Sequence, residues 1–194
     1  MTRLAAMALL LPLIACAPQQ GVPYAVLPSD ATTGVGDPTR AAIIGGSYTF
    51  TTPQSIAGQP AAAARAVAQL EYLATEIPTG PRWTEFSPLV AMELAGAREE
   101  MRGSLGIAPA AQPQLVVDGL YAASRALRAG DGLAAERALA APAFADGRIT
   151  LARLQSLSPT PRARTAMALA MQELNRLDQE HQVADQNGDG GGKD

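Results

Sequence analysis

The chain has 194 residues, 47% of them hydrophobic and only 4% aromatic, with 15 basic against 18 acidic side chains. That mild acidity excludes the basic footprint of a nucleic-acid binder and gives no steering towards anionic head groups. One cysteine, Cys16, excludes an internal disulfide, and one histidine, His181, excludes sites that need two imidazoles, HExxH zinc centres among them.

In chain order, Arg3 precedes an apolar run from Leu4 to Ile14. A permanent bilayer span needs about 20 apolar residues, so this shorter run has the anatomy of an export signal. It ends in Leu13-Ile14-Ala15-Cys16, an apolar, a tolerant and a small residue followed by cysteine. The stretch resembles the signal peptide and lipobox of bacterial lipoproteins. The resemblance implies cleavage before Cys16, a diacylglyceryl group on its sulfur and acylation of the new N-terminus. Ordinary secretory cleavage at Ala15-Cys16-Ala17 is the competing reading. Two or more acyl chains make a stable anchor. By the same resemblance, Ala17 after the cysteine implies the inner leaflet of the outer membrane, facing the periplasm. Loss of residues 1–15 removes Arg3, leaving 14 basic against 18 acidic residues and a formal net charge of −4.

Residues 16–36 are rich in Pro, Gly, Ser and Thr and read as a flexible, lipid-anchored linker, with Tyr24, Val26 and Leu27 able to make a short extended contact to the domain. Asp37-Pro38 then has the form of a helix start. Through Phe50 a hairpin around Gly45-Gly46 competes with a helix; with no other strand-like runs to complete a sheet, a helix is expected. From Pro60 to Ile77, Ala63, Ala66, Leu70, Leu73 and Ile77 share one helical face. Ser87-Pro88 opens another helix, with Val90, Leu94, Ala97, Met101 and Leu105 on its inner side and Arg98, Glu99, Glu100 and Arg102 on its expected solvated side. Pro113 opens a helix closed at Gly130 in the left-handed region, and Asp131 caps a shorter one to about Ala141. Shorter still is Thr150 to Leu157. Thr160-Pro161 begins the last, to about His181, with a seam of Ala163, Met167, Ala170, Leu174 and Leu177.

The expected fold is therefore all-α, a compact bundle or short helical array of about six to seven helices over residues 37–183, with a disordered N-terminal tether and a disordered acidic, Gly-rich tail over 184–194. The pair from Pro113 to Ala141 is similar to one tetratricopeptide helix–turn–helix unit. No 34-residue recurrence extends it, and an ordinary αα-hairpin is the favoured reading.

The chemistry-bearing residues do not converge on a recognisable set. His181 lies near a helix end, where its dipole accounts for it. Asp185 to Gly190 matches the first half of an EF-hand loop, yet the glutamate required at its twelfth position would fall at residue 196. Carboxylates such as Glu71, Glu76, Glu93, Glu100 and Glu173 read as scattered surface charge. No catalytic residue, metal ligand or cofactor is assigned. Arg82, Trp83 and Phe86, in a Pro-bounded loop, have the composition of a partner-binding hot spot; that Trp83 and Phe86 fold back to plug the core is the favoured reading.

The expected function is that of a non-enzymatic, outer-membrane-anchored lipoprotein, held through acyl chains on Cys16, that binds another envelope protein or supports an envelope assembly. A helical module enclosing a lipid or small molecule is the second expectation, and a carboxylate-dependent envelope hydrolase the third.

Overall fold

Five of the seven α-helices among the residues that the computed structural model describes begin with proline at their first position, where the missing N–H is one the helix would leave unbonded in any case. The structure describes residues 23–32, 36–158 and 160–188, without the side chains of 185, 187 and 188. Cys16, the signal region 1–15 and the tail from 189 onward lie outside them. The helices are α1 (Pro38–Thr51), α2 (Pro60–Thr79), α3 (Pro88–Leu105), α4 (Pro113–Arg128), α5 (Gly132–Ala138), α6 (Gly147–Gln155) and α7 (Pro161–Gly188). No strand is present among the described residues. One isolated bridge pairs Ile107 with Phe144. The chain is all-α.

The centre of the bundle is α2. Every residue from Ala66 to Thr75 is buried, so this helix is enclosed on all sides and not amphipathic in the usual sense. The expected face of Ala63, Ala66, Leu70, Leu73 and Ile77 is buried as read, and Ala64, Val67, Ala68 and Ala74 are buried around the rest of the circumference. Alanine makes this possible, because short side chains let α1, α3, α4 and α6 approach the same axis.

The outer layer is closed by α7, which packs against α1 and α3. Its seam of Ala163, Met167, Ala170, Leu174 and Leu177 is buried throughout. Both neighbours run antiparallel to it. Arg40 at the start of α1 meets Asp178, while Gly46 faces Met167; Ser87 before α3 meets Glu173, while Glu100 meets residues 162 and 163.

The caps are local and mostly legible. Asp37 Oδ1 accepts from Thr39 N at 2.8 Å and Arg40 N at 3.1 Å, and Asp131 Oδ1 accepts from Ala134 N at 2.8 Å. Gly106 (φ 72°) and Gly130 (φ 77°) take the left-handed conformation that ends α3 and α4. α6 starts three residues before the expected Thr150, because Asp146 caps it through Ile149 N at 2.9 Å.

Three expectations need correction. The helix α7 continues past His181 to Gly188, so the half EF-hand motif from Asp185 to Gly188 has helical backbone. His181 is therefore two turns from the helix end, too far inward for the end dipole to account for it. The linker 16–36 is not free over 23–32. There Ala25 and Ala31 are buried, Ser29–Ala31 forms a 3-10 turn, and the Gln114 carboxamide grips Val26 from both sides, accepting from its N at 2.7 Å and donating to its O at 3.1 Å. Arg65 donates to the Ala31 carbonyl and Arg125 pairs with Asp30 at 3.1 Å. These residues form a strap laid along α4.

Candidate functional site: an open apolar groove

The loop of Arg82, Trp83 and Phe86 is structural. Trp83 and Phe86 are 5% and 6% exposed, edge to face with centroids 5.2 Å apart, and Trp83 Nε1 donates to Glu76 Oε1 at 3.3 Å. A partner cannot reach either ring in this conformation, so their reading as a binding hot spot gives way to the core plug. Arg82 stays exposed but is engaged within the chain. It pairs with Asp37 Oδ2, the acid that caps α1, and its guanidinium carbon stands 5.4 Å from the Trp83 ring centroid. Ring, cation and cap together fasten the α2–α3 turn to the start of α1.

The charged side of α3 is likewise not solvated as expected. Arg102 and Glu71 are 4% and 2% exposed and make a two-point pair, with Arg98 Nε also 2.8 Å from Glu71 Oε1. Arg102 Nη1 continues to the carbonyls of Ala108 and Pro109 at 3.2 and 2.7 Å. Glu100 receives the backbone N–H groups of Arg162 and Ala163, both at 3.1 Å, and so caps α7 from another helix. Of the four residues read as solvated, only Glu99 is fully exposed.

On α7, Glu173 accepts from Arg176 and from Ser87 N, and its arginine holds its carboxyl below the ordinary range despite the opposing effect of desolvation. Asp178 is lowered in the same way by its two-point contact with Arg40, with His181 adding a smaller push in that direction. Arg176 and Arg40 are raised by the same pairs. These shifts stabilise charge; a general acid at neutral pH needs the reverse. Among the described residues no His, Cys, Asp and Glu group has the clustering to hold a metal ion.

An opening of about 580 Å³ lies at the end of α2 remote from Trp83. One wall comes from the end of α1 and the 3-10 turn Pro53–Ile56, the other from the end of α6 and the start of α7. Phe50 and Ile56, both nearly buried, lie at its base, and Leu157, Pro53 and Pro161 line its sides. Arg164, exposed, is its one charged lining residue. No carboxylate pairs with Arg164 among the described residues. The turn that makes the first wall needs Gly58 at φ 69°, a backbone state that glycine adopts without strain. The groove is apolar, open on one side and furnished with a single cation, a composition that suits an apolar segment with a neighbouring carboxylate.

The sequence marks Leu157 and Thr160-Pro161 only as a helix end and a helix start, and about a hundred residues separate them from Pro53 to Gly58, so no binding signal joins the two walls. Among the described residues no helix is long and apolar enough to cross a membrane. No family model matches the chain, and no curated protein and no solved structure is a significant match to it.

Proposed function

We propose that this chain is a lipid-anchored envelope module, held at the inner leaflet of the outer membrane through Cys16, whose helical domain offers the α1–α7 groove to an apolar segment of another envelope protein. The groove carries this reading. Its size lies within the 300–1,000 Å³ usual for binding clefts, its base is aromatic and aliphatic, and Arg164 stands ready for an acidic group flanking the bound segment. An open cleft suits a chain segment better than an enclosed small molecule. The lipobox resemblance supplies the anchor, and the arginine-paired carboxylates favour binding over hydrolysis.

The test places a photo-crosslinking residue at Gln54, on the groove rim, or at Glu99, on the far side of α3, in cells that express the full chain. One discrete adduct from position 54, absent from 99 and abolished by Leu157→Glu, is the expected result. Equal adducts from both positions would sink the groove reading. Fatty-acid labelling, with Cys16→Ser as control, tests the anchor separately.

A further inference from the structure

We infer that the first part of the strap, Tyr24 and Val26 together with Leu115 of α4, is a lipid-surface contact that seats the domain on the bilayer with its groove turned away. The inference rests on the lipid-anchor reading of Cys16 and adds to it a face and an orientation.

Four observations converge on it. Tyr24, Val26 and Leu115 are 69%, 61% and 44% exposed, and Ala25 between the first two is buried, so the strap turns two apolar side chains outward while its inner side is fastened. That fastening is specific. Gln114, the neighbour of Leu115, holds both backbone polar groups of Val26, leaving neither in need of water. This matters at a membrane, where an unpaired backbone group is costly. Next, no charged residue occurs from Cys16 to Ser29, and Asp30 is the first. Nothing along this stretch opposes entry into the head-group region, where tyrosine is favoured. Last, Tyr24 is eight residues from Cys16, so at about 3.5 Å per residue the anchor can be at most about 28 Å away. The patch is therefore within tether reach of the anchor and, along the chain, the first exposed apolar part of the described domain after it.

The strap also sets direction. It runs along α4 from Gln114 to Arg125, about 16 Å at 1.5 Å per residue. Ser124 Oγ donates to Ala61 O at 2.8 Å, which brings the far end of α4 to the beginning of α2. The groove lies at that beginning, just before Pro60. Tyr24 is thus at the opposite end of the strap from the groove. A domain resting on Tyr24, Val26 and Leu115 presents its groove to the aqueous side, where a partner can reach it.

Acylation of Cys16 leaves the full chain without a free thiol, so Tyr24→Cys or Gln54→Cys each introduces a single one for a fluorophore. The acylated protein is reconstituted in vesicles of phosphatidylethanolamine and phosphatidylglycerol, and quenching by aqueous iodide is read at each position. Quenching several-fold weaker at 24 than at 54 in vesicles, with the difference gone in detergent, is the expected result. Equal quenching at the two positions in protein whose Cys16 acylation is confirmed by mass would overturn the contact while leaving the anchor intact. Protection at 24 that persists in detergent and grows with protein concentration would assign the patch to a second copy instead, which also overturns it. Absence of acyl mass on Cys16 removes the anchor, and this proposal with it.

Discussion

Arg102 and Glu71 meet face to face inside the bundle, Nε to Oε2 at 3.1 Å and Nη2 to Oε1 at 2.5 Å, joining α3 to the central helix α2. The remaining guanidinium nitrogen of Arg102 satisfies two carbonyls of the α3–α4 connection, so one side chain ties three segments. Two-point geometry explains why arginine stands here and not lysine, which is a point charge on a flexible stem.

Glu71→Ala is expected to lower unfolding stability by about 3–5 kcal/mol, because it leaves two guanidinium groups facing an apolar core. Arg102→Lys should also destabilise, since one ammonium cannot serve a carboxylate and two carbonyls in fixed directions. Replacing Glu71 and Arg102 together with Leu and Met should recover part of the loss seen in the Glu71 variant. Urea denaturation of the four proteins checks this, and a double variant no better than Glu71→Ala would contradict it.

Two glycines should respond oppositely to alanine. At Gly119 on α4 a new methyl would stand 2.8 Å from Phe144 Cε2 and 2.9 Å from the Ala138 carbonyl, and the carbonyl cannot move aside. Gly119→Ala is expected to cost about 1–3 kcal/mol through overpacking. At Gly103 within α3 nothing lies within 4 Å of the added carbon, so Gly103→Ala should stabilise by about 0.5–1 kcal/mol. Thermal melts of both variants decide the signs.

The pairs Arg40–Asp178 and Arg176–Glu173 predict an acid-sensitive contribution to the packing of α7. Both carboxyls are lower in the folded chain than their ordinary values of about 4, so unfolding takes up protons as pH falls. Their contribution is present above that range and is lost as pH drops through the depressed folded values. Between about pH 6 and about pH 2 the urea midpoint of the native chain should fall further than that of Asp178→Asn, the two converging at the acid end. Parallel curves would show that the pair adds nothing. Since both side chains are partly exposed, salt should shrink the difference.

Releasing the strap should be local. Gln114→Ala removes both hydrogen bonds to Val26, and Arg125→Gln removes the ion pair with Asp30. Amide exchange over residues 24–31 is expected to rise in each variant, while α2 keeps its protection, because opening a segment with few buried contacts does not require global unfolding. Global loss of protection would place the strap in the folding core.

The helices themselves were legible locally. Proline at the first turn, aspartate or serine before it and glycine after it are short-range signals, and they locate α1, α3, α4 and α5 to within a few residues in this all-α chain. The apolar seams of α3 and α7 follow from spacing alone, since a helix must bury the side that carries Leu94 and Met101, or Met167 and Leu174. The end of α7 escaped the same reading because Asp, Asn and Gly lower helix propensity only modestly, and the long helix before them continues without a breaking proline.

Only the tertiary structure decided the roles of the charged and aromatic residues. A glutamate at position 71 has the same local signature whether it faces water or two arginines; α3, thirty residues later, determines which. Trp83 and Phe86 belong to the core because Glu76 and the start of α1 lie beside their loop. The groove arises because two unremarkable connectors, one after α1 and one before α7, are brought together when α7 returns antiparallel along α1. In sequence, the lipobox-like stretch ending at Cys16 was the most specific signal, and the reading it supports concerns location. What the described fold adds is a strap that begins a few residues after it, and a latch on α4, Gln114, that holds it to the bundle.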